Sequence, residues 1–329
     1  MMTASSENRP IDCLCAGLIV ADFVAAPISR LPRSGELTLT PSIEFSIGGC
    51  AANVATDLAR LERRAALVGI VGEDMPGAAI EQRLSAAGVH MEFIRRDPHD
   101  VTSSSLIVNV VGDDRRFIHA VGANRQFDGS SVTDNMLRQS RILSVGGFCL
   151  MESLTPERLK TLFERARQFG VQTVLDVVLP ETGDYSAQLQ AVLPSTDVFL
   201  PNTDEATRLC GTPDPIAQAQ QFLAWGAKTV IITCGGDGVV AGQEGRLVRS
   251  SAFKMPFVDG TGSGDAFVAG YIDALLDNEP FEQALKRGSA LGASCVRAVG
   301  ATCGVFRRAE LQSFLADAPW EVTSLSALA

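Results

Sequence analysis

The chain has 329 residues, of which 46% are hydrophobic, and it carries a formal net charge of −10. This composition supports a large folded core and excludes global disorder. The acidic balance argues against nucleic acid or an anionic membrane as a partner.

The eight cysteines contain no C-x-x-C pair, which argues against a zinc ribbon or a thioredoxin-type site. Scattered cysteines in a chain of this size favour reduced thiols in a cytoplasmic protein. Residues 1–10 are polar, lack the apolar core of a signal peptide and are predicted to be a flexible N-terminus. No apolar run approaches the length of a membrane span.

The first predicted element is the apolar run of residues 11–20, typical of a strand buried on both faces. It leads to Asp22. A carboxylate at the carboxyl end of a central strand lies where open α/β sheets bind ligands, although an ordinary strand-ending turn would look the same. Gly48 and Gly49 then precede a helix predicted over residues 50–61. One turn into it, Asn53 is either a cap or a group that hydrogen-bonds a ligand.

Two stretches, residues 31–47 and 100–121, alternate polar and apolar residues in a way that suits exposed antiparallel strands. They interrupt the strand-and-helix rhythm of residues 65–94. We therefore interpret them as a small β lid inserted into a main domain that spans residues 11–329. His119, in the second stretch, is predicted to be structural or to lie beside a substrate.

From residue 141 onward, strands and helices alternate as in a parallel sheet. After the strand predicted at residues 197–200, Asn202 and Glu205 lie one helical turn apart. They can either cap a helix or order the water around Mg²⁺. After the strand at residues 229–233, Thr233, Gly235 and Gly238 lie in a turn that alone is a weak signal.

The most informative stretch is the glycine loop, residues 259–265, with the sequence Asp-Gly-Thr-Gly-Ser-Gly-Asp, which runs into an apolar helical tract. Glycines let a ligand approach the backbone, and the first amides of a helix attract an anion, most often phosphate. Asp265 could take the proton of a hydroxyl that attacks a phosphoryl group. The plain alternative is that Asp265 caps the helix and Asp259 ends a strand.

These residues form a pattern, Asp-x-Thr-Gly-x-Gly-Asp-x-Phe over 259–267, that resembles the C-terminal signature of the ribokinase-like (PfkB) family of carbohydrate kinases. The stretch Gly48-Gly49-x-x-x-Asn53-x-Ala resembles its N-terminal signature. Gly260 and Ser263 depart from the usual residues by small changes. The resemblance covers nearly the whole chain and implies a ribokinase-like α/β fold: a mostly parallel sheet with helices on both faces, plus a small β-sheet lid that covers the sugar and forms a homodimer contact.

The resemblance also implies a role for each matching residue. Asp265 would be the catalytic base, and the backbone at Gly262, Ser263 and Gly264 would form the anion hole. The remaining matches would bind sugar (Asp22, Gly48, Gly49 and Asn53) or ATP (Asn202, Thr233, Gly235, Gly238 and Thr261). Glu205 would hold Mg²⁺ through water, and Asp259 a monovalent cation such as K⁺, although Ala298 and Gly304 depart from the ribokinase pattern there.

The sequence therefore predicts ATP-dependent phosphorylation of a primary hydroxyl of a sugar or sugar derivative. A nucleoside kinase on the same fold is a second interpretation, although only 6% of the residues are aromatic and could stack on a base. A third is a catalytically silent sugar-binding protein, against which the presence of Asp265 argues. Arg115, Arg116 and Arg125 could hold a sugar acid, and a solvated lid surface explains them equally well.

Two other enzyme classes are disfavoured by missing motifs. The chain has no G-x-x-x-x-G-K-[ST] loop, which counts against a P-loop kinase. It also has no G-x-G-x-x-G after the first strand, which counts against a dinucleotide-dependent oxidoreductase.

Overall fold

The computed structural model describes residues 9–112 and 116–325. Within these residues, ten strands form one large sheet. In chain order they are β1 (Ile11–Gly17), β4 (Ala65–Gly72), β5 (His90–Asp97), β8 (Ser140–Phe148), β9 (Gln172–Val177), β10 (Val198–Phe199), β11 (Thr229–Thr233), β12 (Val239–Gln243), β13 (Arg246–Ser250) and β14 (Val322–Leu325). Their spatial order is β14-β13-β12-β11-β10-β9-β8-β1-β4-β5, parallel from β5 to β11 and antiparallel beyond β11.

Four further strands form a second sheet, called the small sheet below. They are β2 (Val20–Ile28), β3 (Ile43–Gly48), β6 (Ser104–Val110) and β7 (Arg116–Ala120), in the order β3-β2-β6-β7. The outer pairs are antiparallel, and the central pair of β2 and β6 is parallel.

The helices cover both faces of the large sheet. They are α1 (Cys50–Arg60), α2 (Met75–Ala86), α3 (Asp134–Gln139), α4 (Pro156–Gln168), α5 (Ser186–Val192), α6 (Thr203–Cys210), α7 (Pro215–Ala224), α8 (Ser263–Leu276), α9 (Phe281–Cys295) and α10 (Arg308–Asp317). Because successive residues of a strand face opposite sides, Cys13 and Cys15 pack with α1, α2, α8, α9 and α10, whereas Leu14 and Ala16 pack with α3 to α7. This confirms the predicted fold class.

The prediction of one strand over residues 11–20 is wrong. β1 ends at Gly17, and after Leu18 and Ile19 the chain enters β2 of the small sheet. Gly17 has φ +130°, and a Cβ there would lie 2.3 Å from the carbonyl oxygen of Gly146. Asp22 therefore lies within the small sheet rather than at the end of a central strand. An apolar run could not reveal this, because both strands are buried.

Asn124 fixes this crossing between the two sheets. It is fully buried, its Nδ2 donates to the carbonyl of Ile19 at 2.9 Å, and its Oδ1 accepts from the Ile19 amide at 3.3 Å. The Asn124 side chain thus makes the two hydrogen bonds that a neighbouring strand would make to the backbone of Ile19, which belongs to neither sheet.

The small sheet only partly matches the two predicted lid segments. In residues 31–47 the structure forms strand only from Ile43 onward, and residues 36–40 have no regular structure. In residues 100–121 both predicted strands are present as β6 and β7. β2 supplies a fourth strand that the alternation pattern did not indicate. The predicted limits of the main domain and of an inserted lid stay predictions.

Two predictions fall partly outside the described residues. Of the predicted flexible N-terminus, residues 1–8 lie outside, whereas Arg9 donates hydrogen bonds to the carbonyls of Ser140 and Phe169. Arg115 also lies outside. In the part of the chain that is described, no helix is both long and apolar enough to cross a membrane.

Candidate active site

The glycine loop and the start of α8 form a turn with a fixed backbone. Gly262 is the residue before the helix and has φ +78°, in the left-handed region. A Cβ at Gly262 would lie 2.3 Å from the carbonyl oxygen of Ala301, so only glycine fits. The first intrahelical bond runs from the Ala266 amide to the Gly262 carbonyl at 2.8 Å. The amides before Ala266 therefore point out of the helix end, although the Ser263 amide makes a long 3.3 Å bond to the Gly260 carbonyl.

Asp265 lies in the first turn of α8 and is joined to α1. Its Oδ2 accepts a hydrogen bond from Asn53 Nδ2 at 2.8 Å, and it also accepts one from the Cys50 thiol. Burial raises the pKa of Asp265, and these two donors lower it in part. Asn53 is buried, and its Oδ1 has no hydrogen-bond partner among the described residues. A hydrogen-bond acceptor that no described residue donates to, Asn53 Oδ1, thus lies beside Asp265.

Gly48 makes room for Asp22, and Gly49 makes room for the Leu18 carbonyl. A Cβ at Gly48 would lie 2.0 Å from Asp22 Oδ2, and Gly49, at φ +88°, would clash with the Leu18 carbonyl at 2.5 Å. Asp22 is only 6% exposed. Burial raises its pKa to about 7, a hydrogen bond from Ser105 opposes that shift, and the charges of Asp265 and Asp259 add to it.

Asp176, near the end of β9, belongs to the same cluster, and the sequence analysis did not single it out. One ligand atom each from Cys50, Asp176 and Asp265 lie within 4.8 Å of one another. Asp176 Oδ2 is buried without a hydrogen-bond partner among the described residues. Burial, followed by the charge of Glu205, raises the pKa of Asp176. An acid that ends a strand is common, so the sequence offered no distinctive signal for it.

Asn202 and Glu205 realise the helix-capping alternative. Asn202 Oδ1 accepts from the Glu205 amide at 2.8 Å, and Glu205 Oε2 accepts from the Asn202 amide at 3.0 Å, a reciprocal capping box at the start of α6. Burial raises the pKa of Glu205 to about 7, and the charge of Asp265 adds to the shift. Glu205 therefore caps its helix and still interacts electrostatically with the start of α8.

Thr233, Gly235 and Gly238 lie together at the turn between β11 and β12. Thr233 pairs with Asn202 through an isolated bridge, so both lie where parallel strands end. Gly238 has φ +88°, and a Cβ would lie 1.9 Å from the Ser250 carbonyl oxygen, whereas Gly235 has open space around it. Gly238 is thus required by packing, and Gly235 leaves the turn open to a ligand.

Asp259 holds the base of the glycine loop. Its Oδ1 accepts from the Thr261 amide at 3.0 Å and the Thr261 hydroxyl at 2.7 Å, and its Oδ2 accepts from the Gly300 amide at 2.9 Å. The Cys295 thiol approaches the carbonyl oxygens of Thr261 and Ala301 at 3.2 and 3.1 Å. The stretch around residue 300 is thereby tied to the loop.

The two candidate sugar-acid arginines that the structure describes are not gathered at this cluster. Arg125 forms an ion pair with Asp100, and Arg116 lies exposed at the start of the edge strand β7. By contrast, Asp22, Asn53, Glu205 and Asp265 interact with one another through hydrogen bonds or charge, which concentrates carboxyl groups at the site.

The chain is similar to known proteins over most of its length. The model of the pfkB family of carbohydrate kinases matches residues 11–305. The ribokinase of Haemophilus influenzae is 27% identical over 92% of this chain and 97% of its own length. The 5-dehydro-2-deoxygluconokinase 1 of Bacillus cereus is 25% identical over 95% of this chain and 97% of its own.

Among solved structures, Arabidopsis thaliana ribokinase complexed with ribose and ATP superposes with a TM-score of 0.78 at 24% identity, covering 93% of this chain and 98% of that one. This likeness confirms the ribokinase-like fold. Because the family model spans most of the sequence, the chain belongs to the pfkB family of carbohydrate kinases and is an ATP-dependent sugar kinase.

Proposed function

We propose that this kinase transfers the γ-phosphoryl group of ATP to a primary hydroxyl of a sugar, with Asp265 as the catalytic base. One observation carries the proposal: Asp265 lies beside the outward-pointing amides at the start of α8 and is hydrogen-bonded to a buried asparagine, Asn53. A carboxylate next to an anion-binding helix end has a clear task if it removes a proton from the attacking hydroxyl.

Asp265 is suited to that task by its surroundings. Because burial raises its pKa, the ionised carboxylate is a stronger base than an exposed aspartate. The hydrogen bonds from Asn53 and Cys50 stabilise that ionised form and orient it. The carboxylate takes the hydroxyl proton while the oxygen attacks phosphorus and the bond to ADP breaks.

The backbone at Gly262, Ser263 and Gly264 stabilises the charge on the transferring group. Helix amides are fixed donors, and the positive end of the α8 dipole adds to their effect. The left-handed Gly262 sets the direction in which these amides point. The Ser263 amide contributes after it leaves its long bond to Gly260.

The sugar contacts Asp22, Gly48, Gly49 and Asn53. Gly48 leaves room for the Asp22 side chain, and Asp22 and Asn53 supply acceptors for hydroxyl groups. The unpaired Asn53 Oδ1 supports this, because a buried acceptor without a partner is costly unless a ligand satisfies it.

ATP extends from the glycine loop across the ends of the parallel strands. Asn202, Thr233, Gly235, Gly238 and Thr261 line that path. Open α/β sheets bind ligands at this edge, and the open space at Gly235 is consistent with a nucleotide there.

The acidic residues fit a magnesium ion. Carboxylate oxygens are the ligands that Mg²⁺ prefers, and Asp176 Oδ2 is buried without a partner in the described part of the chain. Glu205 would hold the ion through water, with Asp176 nearby. When bound, Mg²⁺ would neutralise charge on the phosphates.

The residues near Asp259 fit a monovalent cation poorly. Both carboxylate oxygens of Asp259 already accept hydrogen bonds, and the Cys295 thiol occupies the approach to the carbonyls of Thr261 and Ala301. A K⁺ ion would have to displace that thiol to reach these carbonyls.

We also infer a homodimer through the small sheet. Its outward face carries Leu106 and Ile118, which are 41% and 67% exposed, and β7 is an edge strand. Exposed apolar side chains beside an open edge favour pairing with a second copy. Sedimentation of the wild type against Ile118→Lys tests this: we expect a dimer that the charge weakens, and a wild-type monomer would contradict it.

The function is tested by coupled ADP release with Mg-ATP against a panel of sugars. The panel contains D-ribose, D-fructose, fructose 6-phosphate, 5-dehydro-2-deoxygluconate and adenosine. We expect strong release with one of the sugars and none without an acceptor. Release that depends only on adenosine would favour the nucleoside kinase, and ATP binding without release for any acceptor would favour a silent binding protein.

A further inference from the structure

A row of polar side chains crosses all four strands of the small sheet. Ser46 of β3 pairs with Asp22 of β2, Asp22 pairs with Ser105 of β6, and Ser105 pairs with His119 of β7. Directly paired residues present their side chains on the same face. Ser46, Asp22 and Ser105 are each less than 8% exposed. We call these four residues the polar row.

The next row of residues along the strands points to the opposite face of the small sheet and differs from the polar row in polarity. It consists of Phe45, Phe23, Leu106 and Ile118, all apolar. In this row Leu106 and Ile118 are exposed, whereas Phe23 and Phe45 are partly buried against the core. In the polar row only His119 is partly exposed. At Leu106 and Ile118 the sheet therefore exposes apolar side chains, while it buries the polar groups of Asp22 and Ser105, which need hydrogen-bond partners.

The polar row is continuous with the proposed sugar site. Asp22 occupies the space left by Gly48 and interacts with Asp265 through charge. Ser105 hydrogen-bonds Asp22, and Ser105 Oγ lies 3.1 Å from His119 Nδ1. His119 Nε2 is buried, and no group in the described residues bonds it. The row therefore ends in an unsatisfied imidazole nitrogen two strands, or about 10 Å, beyond Asp22.

The directions of these hydrogen bonds decide whether His119 Nε2 is a donor or an acceptor. Where Asp22 is ionised, above its pKa of about 7, it can only accept, so the Ser105 hydroxyl donates to it. Ser105 Oγ then accepts from the Nδ1–H of His119. Burial lowers the pKa of His119, so the ring is neutral, and Nε2 carries a lone pair. It can be satisfied by a hydrogen-bond donor and not by a carboxylate.

We propose that His119 Nε2 is a specificity contact that accepts a hydrogen bond from a sugar hydroxyl remote from the one that is phosphorylated. Such a contact takes a hydroxyl rather than a carboxylate, and with Asp22 nearby it favours a neutral polyhydroxy sugar over a sugar acid. Asn53 Oδ1, another acceptor of the site without a partner among the described residues, makes the same demand for a hydroxyl. This inference rests on the proposed function, since it names the substrate of the same site.

The test compares His119→Asn with His119→Gln. The side-chain amide of Asn reaches the position of His119 Nδ1 and keeps the hydrogen bond to Ser105, but it places no acceptor at the position of Nε2. The amide of Gln reaches the position of Nε2. With the neutral sugar that gives the highest kcat/KM in the panel, we expect His119→Asn to raise the sugar KM about tenfold and His119→Gln to raise it less. The KM for ATP and the Tm should stay at wild-type values.

Deoxy analogues of that sugar locate the contact. The wild type should bind one analogue, the one that lacks the hydroxyl in contact with His119, about tenfold more weakly than the parent sugar. His119→Asn should bind that analogue no more weakly than the wild type does. An unchanged sugar KM in His119→Asn, an equal loss with every analogue, or a wild-type preference for 5-dehydro-2-deoxygluconate would each overturn the inference while the kinase assignment stands. A wild type that releases no ADP with any sugar would overturn both.

Discussion

The two halves of the site are built in different ways. The glycine loop presents backbone amides, and its shape is fixed by a left-handed Gly262 against Ala301 and by three hydrogen bonds to Asp259. The polar row presents side chains from four strands of the small sheet, whose other face is exposed at Leu106 and Ile118. One substitution cannot change the backbone geometry of the glycine loop without refolding it, whereas one substitution can replace a side chain of the polar row and leave the sheet intact. We therefore expect the loop to set the rate of phosphoryl transfer and the row to select the sugar.

The largest effect should come from Asp265→Asn. Removing the base should lower kcat by about 10³-fold, with little change in either KM, because the amide keeps the size of the side chain. Steady-state kinetics measure it, and Asp204→Asn, an exposed acid of α6, is the matched control. A variant with near wild-type kcat would remove Asp265 from its proposed role.

A second variant, Asp22→Asn, should separate stability from function. The folded-state pKa of Asp22 is about 7, above the ordinary 3.8, so the folded protein binds the proton more tightly than the unfolded chain. The ionised carboxylate therefore costs stability that grows from about pH 4 to pH 7 and reaches at most about 4 kcal/mol.

Thermal unfolding at pH 8 and pH 4 measures this cost. We expect Asp22→Asn to have a higher Tm than the wild type at pH 8, a smaller difference at pH 4, and a raised KM for the sugar. A variant less stable than the wild type at pH 8 would show that the carboxylate is held by interactions stronger than its desolvation.

The rigidity of the loop is tested by Gly262→Ala against Gly245→Ala. Both glycines have a left-handed φ, +78° and +75°, but only at Gly262 would a Cβ meet another atom. Each should lose about 1–2 kcal/mol from backbone strain. Gly262→Ala should lose a further 1–3 kcal/mol or so and most of its turnover. Equal Tm values for the two would mean that the contact with Ala301 relaxes freely.

The smallest effect should come from Asn124→Ala at the crossing between the sheets. The substitution leaves the amide and carbonyl of Ile19 unpaired in a buried place, which should cost about 1–3 kcal/mol of unfolding free energy. Asn109→Ala is the control, since its single bond to the Ala25 carbonyl is only partly buried. Denaturant titration should show a larger loss for Asn124→Ala, and equal losses would contradict a special role of the crossing.

The glycine loop could be predicted from the sequence because its working atoms are the backbone of consecutive residues. In the loop from Asp259 to Asp265, the positions of the glycines alone indicate the backbone conformation. Asn53 likewise lies at a fixed spacing from Gly48 and Gly49. The parallel sheet was predicted for a similar reason, since each buried strand is a local apolar run.

The polar row could not be predicted in this way. Ser46, Asp22, Ser105 and His119 become neighbours only through strand register, which a single sequence does not specify. The uninterrupted apolar run also concealed the crossing after Gly17, so Asp22 was placed in the wrong sheet. Asp176 was missed because its role depends on burial beside Cys50 and Asp265, and burial is a property of the folded chain.

The most direct test of the division of labour is calorimetric binding of the preferred neutral sugar to Asp265→Asn and His119→Asn. We predict that Asp265→Asn binds the sugar with nearly the wild-type Kd, and that His119→Asn binds it about tenfold more weakly. If Asp265→Asn lost as much affinity as His119→Asn, or if His119→Asn kept the wild-type Kd, the separation between a transfer loop and a sugar-selecting row would be contradicted.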